Sequence, residues 1–220
     1  MLQRVLEPEV MDTPDDARDY DTMDHAEVNR AFVRDFFTFA SEHLSPLLDV
    51  GTGTAQIPIE FCRQNANVEI VAIDLAQEML NIATENVKQA GFAHRVRLEL
   101  ASGRAMPYET GTFPGVVSNS IIHHIPDPFE CFSEMVRVCK TGGVLFVRDL
   151  VRPDHEVRLN HLVQTHAGKA NDHQRQLFAD SLRAALTLAE VRSLLVQLGF
   201  ATETVTMTSD RHWTWAAICD

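Results

Sequence analysis

Residues 47–62 read LLDVGTGTAQIPIEFC. A short apolar run ends at an acid and a valine, turns on two glycines and continues into a segment with helical spacing. The pattern predicts a buried strand over Leu47–Val50 and a helix over Ala55–Gln64. In an open α/β sheet the ligand sits at the carboxyl ends of the strands, and a glycine turn there lets backbone N–H groups approach it closely. Gly51 and Gly53 stand where such a turn is needed.

Outward from this stretch the chain alternates. VEIVAID (68–74) predicts a strand, AQEMLNIATENVKQAG a helix with Met79, Ile82, Ala83 and Val87 on one face and Gly91 as its stop. RVRLELA (95–101) and GVVSNS (115–120) predict strands, DPFECFSEMVRVCK a helix, and GGVLFVRDL (142–150) a fifth strand. Strands alternating with helices at this spacing give a doubly wound, mostly parallel sheet. Further on, 151–186 carries four histidines and Leu159, Leu162 and Val163 at helical spacing, which predicts a helical insertion. Thr187-Leu188-Ala189-Glu190 has the form of a capping box. ATETVTMT and HWTWAAI predict a closing antiparallel hairpin around Ser209-Asp210-Arg211. Before the core, NRAFVRDFFTFASEHL predicts a leading helix with Phe32, Phe36 and Phe39 as core contacts.

The expected organisation is therefore one α/β domain over 1–220 with a seven-stranded, Rossmann-like sheet: a cap helix in 1–44, a cofactor-binding core over 45–150, the insertion or lid over 151–186, and a final helix and hairpin over 187–220. A chain of 220 residues buries enough surface to need no staple. Its four cysteines show no short spacing, which argues against a zinc knuckle or a disulfide framework and points to a reducing cytoplasm. No apolar run has the ~20 residues of a membrane span, and MLQRVLEPEVMD lacks the apolar core of a signal peptide. The net charge of -12, from 31 acids against 19 bases, disfavours a nucleic-acid partner and leaves a small molecule as the expected substrate. Oligomeric state is not legible.

Asp74 lies 23 positions after Gly51, at the end of the next strand, where a carboxylate accepts hydrogen bonds from a ribose diol. Glycine turn and acid together imply a nucleoside-containing cofactor. A dinucleotide fingerprint wants a third glycine where Gln56 stands, and Asp49, two residues before Gly51, would repel a pyrophosphate. It suits a ligand carrying ammonium or sulfonium charge.

With Asp49-Val50-Gly51-Thr52-Gly53-Thr54 where the family's first motif is D-x-G-x-G-T-G, the sequence resembles the class I S-adenosylmethionine-dependent methyltransferases. AIDLAQEMLNIA is similar to the family's second motif, and ASGRAMPYETGTFPGVVSN to a segment of the ubiquinone- and menaquinone-biosynthesis type of small-molecule methyltransferase. SNSIIHHIPDP and EMVRVCKTGG match as well. Motif by motif the likeness covers roughly 45–150. It departs at Ser102, where the family has an adenine-binding Asp, at Pro114, where an Asp precedes the fourth strand, and at Thr141, where a Pro is usual.

The resemblance implies transfer of a methyl group from S-adenosylmethionine, leaving S-adenosylhomocysteine, by in-line displacement. It implies cofactor contacts from Asp49, Gly51, Thr52, Gly53, Asp74, Leu75, Met79, Ser102, Gly103 and Asn119, with Asp74 on the ribose and Met79 near the adenine. An acceptor with a proton to lose needs a base. His124 is the favoured candidate and His123 the second. Tyr20 in the leading segment, Arg148 and Arg152 are candidates for the acceptor side. Metal binding by His155, His161, His166 and His173 is disfavoured, and no metal is expected. A non-catalytic S-adenosylmethionine-binding protein is the main alternative, and an NAD(P)-dependent oxidoreductase a weaker one.

Overall fold

The computed structural model describes residues 2–7, 12–23, 25–40 and 44–220. Strands run over Leu47–Val50 (β1), Ile70–Asp74 (β2), Val96–Leu100 (β3), Phe113–Asn119 (β4), Cys139–Leu150 (β5), Val205–Met207 (β6) and His212–Ile218 (β7). Helices run over Pro14–Asp21 (α1), Ala26–Phe39 (α2), Gln56–Gln64 (α3), Gln77–Gln89 (α4), Pro128–Val138 (α5), Glu156–Ala167 (α6), Asp172–Ala184 (α7) and Leu188–Gln197 (α8). The seven strands form one sheet in the order β3-β2-β1-β4-β5-β7-β6. β1 pairs in parallel with β2 and β4, β2 with β3, while β6 and β7 are antiparallel. The order reverses direction beside β1, which puts the 51–54 turn at the topological switch point where ligands of such sheets bind.

The chain gathers into two compact units. The larger holds residues 10–119, 130–147 and 216–220, the smaller 1–9, 120–129 and 148–215. In the larger unit β1 is buried along its whole length, because helices cover both faces of a central parallel strand. Phe32 and Phe36 of α2 meet Phe61 of α3 and Phe146 of β5 edge to face, with centroids 5.1 to 6.4 Å apart. Such aromatic pairs add about 0.5–1.5 kcal/mol each beyond their buried area. Phe39 departs from the reading as a core residue. It ends α2 and is 44% exposed, while Phe37 turns inward onto Phe61 at 5.5 Å. The expected single leading helix is two helices, α1 and α2, and positions 41–43 of that expectation lie outside the described residues. All four cysteines, Cys62, Cys131, Cys139 and Cys219, are free thiols buried in this unit.

In the smaller unit, Leu159 and Leu162 of α6 and Leu182 and Ala185 around the end of α7 close on Leu150 of β5. The 151–186 insertion is thus an α-hairpin with its own small core. The capping box forms as the sequence implies: Thr187 Oγ1 accepts from Glu190 N–H at 3.2 Å, and Glu190 Oε2 accepts from Thr187 N–H at 2.7 Å. Trp213 and Trp215 are fully buried on β7. The described stretch Leu2–Glu7 is docked by Arg4, which donates to the carbonyls of Ala184, His123, Ile125 and Pro126 at 2.7 to 3.3 Å. No helix among the described residues is long and apolar enough to cross a membrane.

Candidate functional site

The turn after β1 is made by backbone that only glycine adopts cheaply. Gly51 and Gly53 sit at φ 75° and 53°. The N–H groups of Gly51 and Thr52 reach back to the Ile73 carbonyl, both at 2.9 Å. Gly53 N–H donates to Asp74 Oδ2 at 2.7 Å, and Ala76 N–H donates to Asp74 Oδ1 at 2.9 Å. Asp74 therefore holds the loop in shape and keeps the remaining lone pairs of both oxygens for a ligand. Two residues on, Ala55 also takes the left-handed conformation, φ 62°, as it leads into α3 without a side-chain cap.

Beneath the turn lies Asp49, 1% exposed, whose Oδ2 accepts no hydrogen bond. Burial, with Thr52 pulling the other way and the charge of Asp74 adding to it, pushes this carboxyl up to about 7. A buried acid left short of partners is costly unless a cation comes to it. Asn119, at the end of β4, has a buried Oδ1 that likewise accepts nothing. These orphaned oxygens fit a ligand that carries positive charge and N–H donors, and they repel a pyrophosphate.

Around this turn the remaining candidates divide. Leu75 is 42% exposed, an apolar surface next to the ribose-type acid. Met79 is buried with Ala17 and Ala76, and Tyr20 packs against that group. The Tyr20 ring also lies 3.5 Å from where a side chain on Gly53 would stand, so α1 covers the turn. Asp21 at the end of α1 accepts from Gln56 at 3.1 Å and Asn86 at 2.8 Å, and Asp12 accepts from the Glu78 N–H at the start of α4. Ser102 Oγ accepts from Arg104 N–H at 3.2 Å. A Cβ on Gly103 would stand 3.0 Å from Val50 and 3.2 Å from Cys131, so a side chain there would need those neighbours to give by a few tenths of an ångström.

The smaller unit holds a second polar group. His123 is 3% exposed, and its Nδ1 meets Asp149 Oδ1 at 2.6 Å. Asp149 is fully buried and also accepts from the N–H groups of Ile122 at 2.5 Å and Leu150 at 2.6 Å. Burial alone would push the His123 imidazole down, but the charge and hydrogen bond of Asp149 and the charge of Glu7 outweigh it and the net shift is upward. The Asp149 carboxyl is correspondingly lowered, burial being overcome by His123 and the backbone donors. With Nδ1 committed, the Nε2 of His123 faces Glu7 Oε1 at 3.8 Å, and His124 Nδ1 approaches the same oxygen at 3.7 Å. The two imidazoles lie against each other with centroids 4.2 Å apart. Ser120, just before them, is held at φ 61°, a conformation that costs a serine about 1–2 kcal/mol.

Glu7 and Asp149 did not stand out in the sequence. Asp149 carries a weak signal, being an acid at the end of an apolar strand, whereas Glu7 sits in a stretch without periodicity. Both arginines expected on the acceptor side are buried. Arg148 Nε donates to Thr214 Oγ1 at 2.8 Å, and Arg152 donates to the Ala185 carbonyl at 2.8 Å and to Glu190 Oε1 at 2.6 Å. Among the four insertion histidines, His155 caps α6 by accepting from Arg158 N–H, and His166 pairs with Asp210 at 2.8 Å.

A switch-point glycine turn, a strand-ending acid behind it and a buried acid with one unpartnered oxygen below define a Rossmann-like protein built for a cationic nucleoside cofactor. Residues 42–197 match the family model described as a methyltransferase domain, and the chain belongs to that family. S-adenosylmethionine is the cofactor this membership brings. The chain is 32% identical over 108 residues to the ubiquinone/menaquinone biosynthesis C-methyltransferase UbiE of Geobacter sp. strain M21, a match covering 49% of this chain and 46% of that protein. The match thus spans about half the length of this curated relative. Among solved structures it resembles a SAM dependent methyltransferase from Aquifex aeolicus, with a TM-score of 0.70 and 18% identity over 94% of this chain and 99% of that one. It also resembles the plantazolicin methyltransferase BpumL in complex with SAH, with a TM-score of 0.71 and 13% identity over 93% and 89% of the two chains.

Proposed function

We propose that the chain transfers a methyl group from S-adenosylmethionine to a small-molecule acceptor. The observation that carries this reading is the buried Asp49 carboxylate under the glycine turn, whose Oδ2 accepts no hydrogen bond. In this reading Asp49 attracts the charged methionine portion, and the backbone of Gly51, Thr52 and Gly53 lets it approach closely. Asp74 receives the ribose hydroxyls, Leu75 and Met79 flank the adenine, Ser102 accepts from the adenine amine beside Gly103, and Asn119 accepts from the methionine ammonium. When bound, the cofactor supplies an electrophilic methyl on sulfonium. The protein's part is to align it with a nucleophile and to exclude water.

The proton of an oxygen or carbon acid acceptor falls to the histidine pair. Asp149 fixes the tautomer of His123, which supports a base oriented by a carboxylate, and His124 is the more exposed of the two, its side chain 19% exposed against 4%. Tyr20 is proposed to line the acceptor side from α1. Arg148 and Arg152 would reach an anionic acceptor only by giving up bonds they make now. The acidic net charge supports a small substrate over a nucleic acid, and a cytoplasmic setting remains the reading of the reduced cysteines. Because the UbiE relative is named as a C-methyltransferase of quinone biosynthesis, reduced quinones are the first acceptors to screen.

Calorimetric titration with S-adenosylmethionine, S-adenosylhomocysteine and NADH tests the cofactor. The expected result is micromolar binding of the two adenosyl ligands only, lost in Asp74→Ala. Binding of NADH, or of none of the three, sinks the proposal.

A further inference from the structure

We infer that Glu7, His123 and His124 form a binding site for a divalent transition-metal ion. The inference goes beyond the methyl-transfer reading and does not depend on it, since everything it uses lies in the smaller unit. One ligating atom from each residue falls within 4.8 Å of the others, and the two contacts to Glu7 Oε1 are 3.8 and 3.7 Å. Around a zinc-sized ion, with bonds of about 2.0–2.2 Å, neighbouring tetrahedral ligands stand roughly 3.3–3.5 Å apart. The two contacts to Glu7 need to contract by only a few tenths of an ångström, and the two imidazole nitrogens, within 4.8 Å of each other, by no more than a side-chain rotation supplies.

Three further observations separate this group from a chance cluster. Glu7 Oε1 is buried, its side chain 9% exposed, and accepts no hydrogen bond although both imidazoles are turned toward it. His123 hands its Nδ1 to the buried Asp149 carboxylate, which leaves the Nε2 lone pair as the ligating atom. A carboxylate behind a histidine is how metal-binding imidazoles are commonly oriented and made more basic. Glu7 arrives on a segment that Arg4 fixes by four bonds to backbone carbonyls, so its position does not rest on its own contacts.

Two histidines and a glutamate are the donor set of an open zinc or cobalt site, with a fourth position free for water or for an oxygen of a bound molecule. A hydroxyl placed there would lose its proton more readily as a metal ligand, so in the metal-bound chain the histidine pair would act through the ion and, in the metal-free chain, as the base proposed above.

The test uses the full chain stripped with a chelator and titrated with Co2+ alone, followed by visible absorption, with Zn2+ then added in competition. The expected result is one Co2+ per chain with the intense visible bands of a four- or five-coordinate ion, displaced by Zn2+. Affinity should fall more than ~10-fold in both Glu7→Gln and His124→Ala, with circular dichroism unchanged and His161→Ala binding as the parent does. Absence of those bands at 100-fold excess Co2+, or binding that neither variant weakens, overturns the inference. Failure here leaves adenosyl-ligand titration unaffected, so the two readings fall separately.

Discussion

The turn after β1 and the cluster around His123 are both buried polar sites, but they are built in opposite ways. The first is local: Asp49 to Ala55 are consecutive, and the partners of their N–H groups, Ile73 and Asp74, end the adjacent strand. Its shape comes from backbone conformation and from N–H groups that point at a carbonyl and a carboxylate. The second is assembled from residues 7, 123, 124 and 149, and its geometry depends on a docked segment held by Arg4. A site made of backbone tolerates change around it. A site made of side chains on separate pieces of chain is only as well placed as its weakest anchor.

Removing Asp49 should separate the two most sharply. Asp49→Asn is expected to weaken S-adenosylmethionine binding by ~100-fold or more, as loss of a buried charge partner costs about 3–5 kcal/mol. The same change should stabilise the ligand-free protein at pH 8. The Asp49 carboxyl, ordinarily near 3.8, is raised to about 7 by burial, so the folded chain resists its ionisation. The group favours folding below about pH 4, and that contribution is lost as pH rises through 7. Denaturant melts of Asp49→Asn and parent should therefore converge near pH 4 and diverge by a few kcal/mol at pH 8. A variant no more stable than the parent at pH 8 would mean the carboxylate has a partner in solution.

Arg4→Ala should strike only the assembled site. Losing a guanidinium that serves four carbonyls is expected to cost about 2–3 kcal/mol and to weaken Co2+ binding while leaving the affinity for S-adenosylhomocysteine within ~2-fold. Equal damage to both ligands would erase the contrast between the two sites. The smallest effect is expected at the α8 cap, where Thr187→Ala should cost about 1 kcal/mol of stability. The Glu190 N–H would lose its acceptor there, while the Glu190 carboxylate keeps the Thr187 N–H and Arg152, so cofactor titration should not change.

The same contrast decides what was legible in the sequence. The glycine turn, Asp74 and the Thr187–Glu190 box could be read because each is a short-range event with a fixed spacing. The strand and helix alternation placed the sheet to within a few residues, although β5 begins at Cys139 rather than 142. Phe39 keeps one ring contact, with Phe146 at 6.3 Å, but α2 ends on it and its other side is left open to solvent. Neither the His123–Asp149 bond, across 26 positions, nor the approach of Glu7, across 116, leaves a periodic trace. Arg148 and Arg152 looked available because strand ends often are; their bonds to Thr214, Ala185 and Glu190 depend on packing that spacing does not encode.

The cysteines give this molecule a built-in clock. All four thiols are buried in the larger unit and the smaller one has none. Burial also pushes the Cys131 thiol up to about 12 and raises Cys62, whereas the hydrogen bond with Cys139 lowers Cys219, which makes Cys219 the first to react once it is uncovered. A maleimide reagent will therefore label the chain only as fast as the larger unit opens, and will be blind to opening of the smaller one. Labelling rate with and without S-adenosylhomocysteine reads the stability of one half of the protein in the intact chain, without a probe having to be introduced.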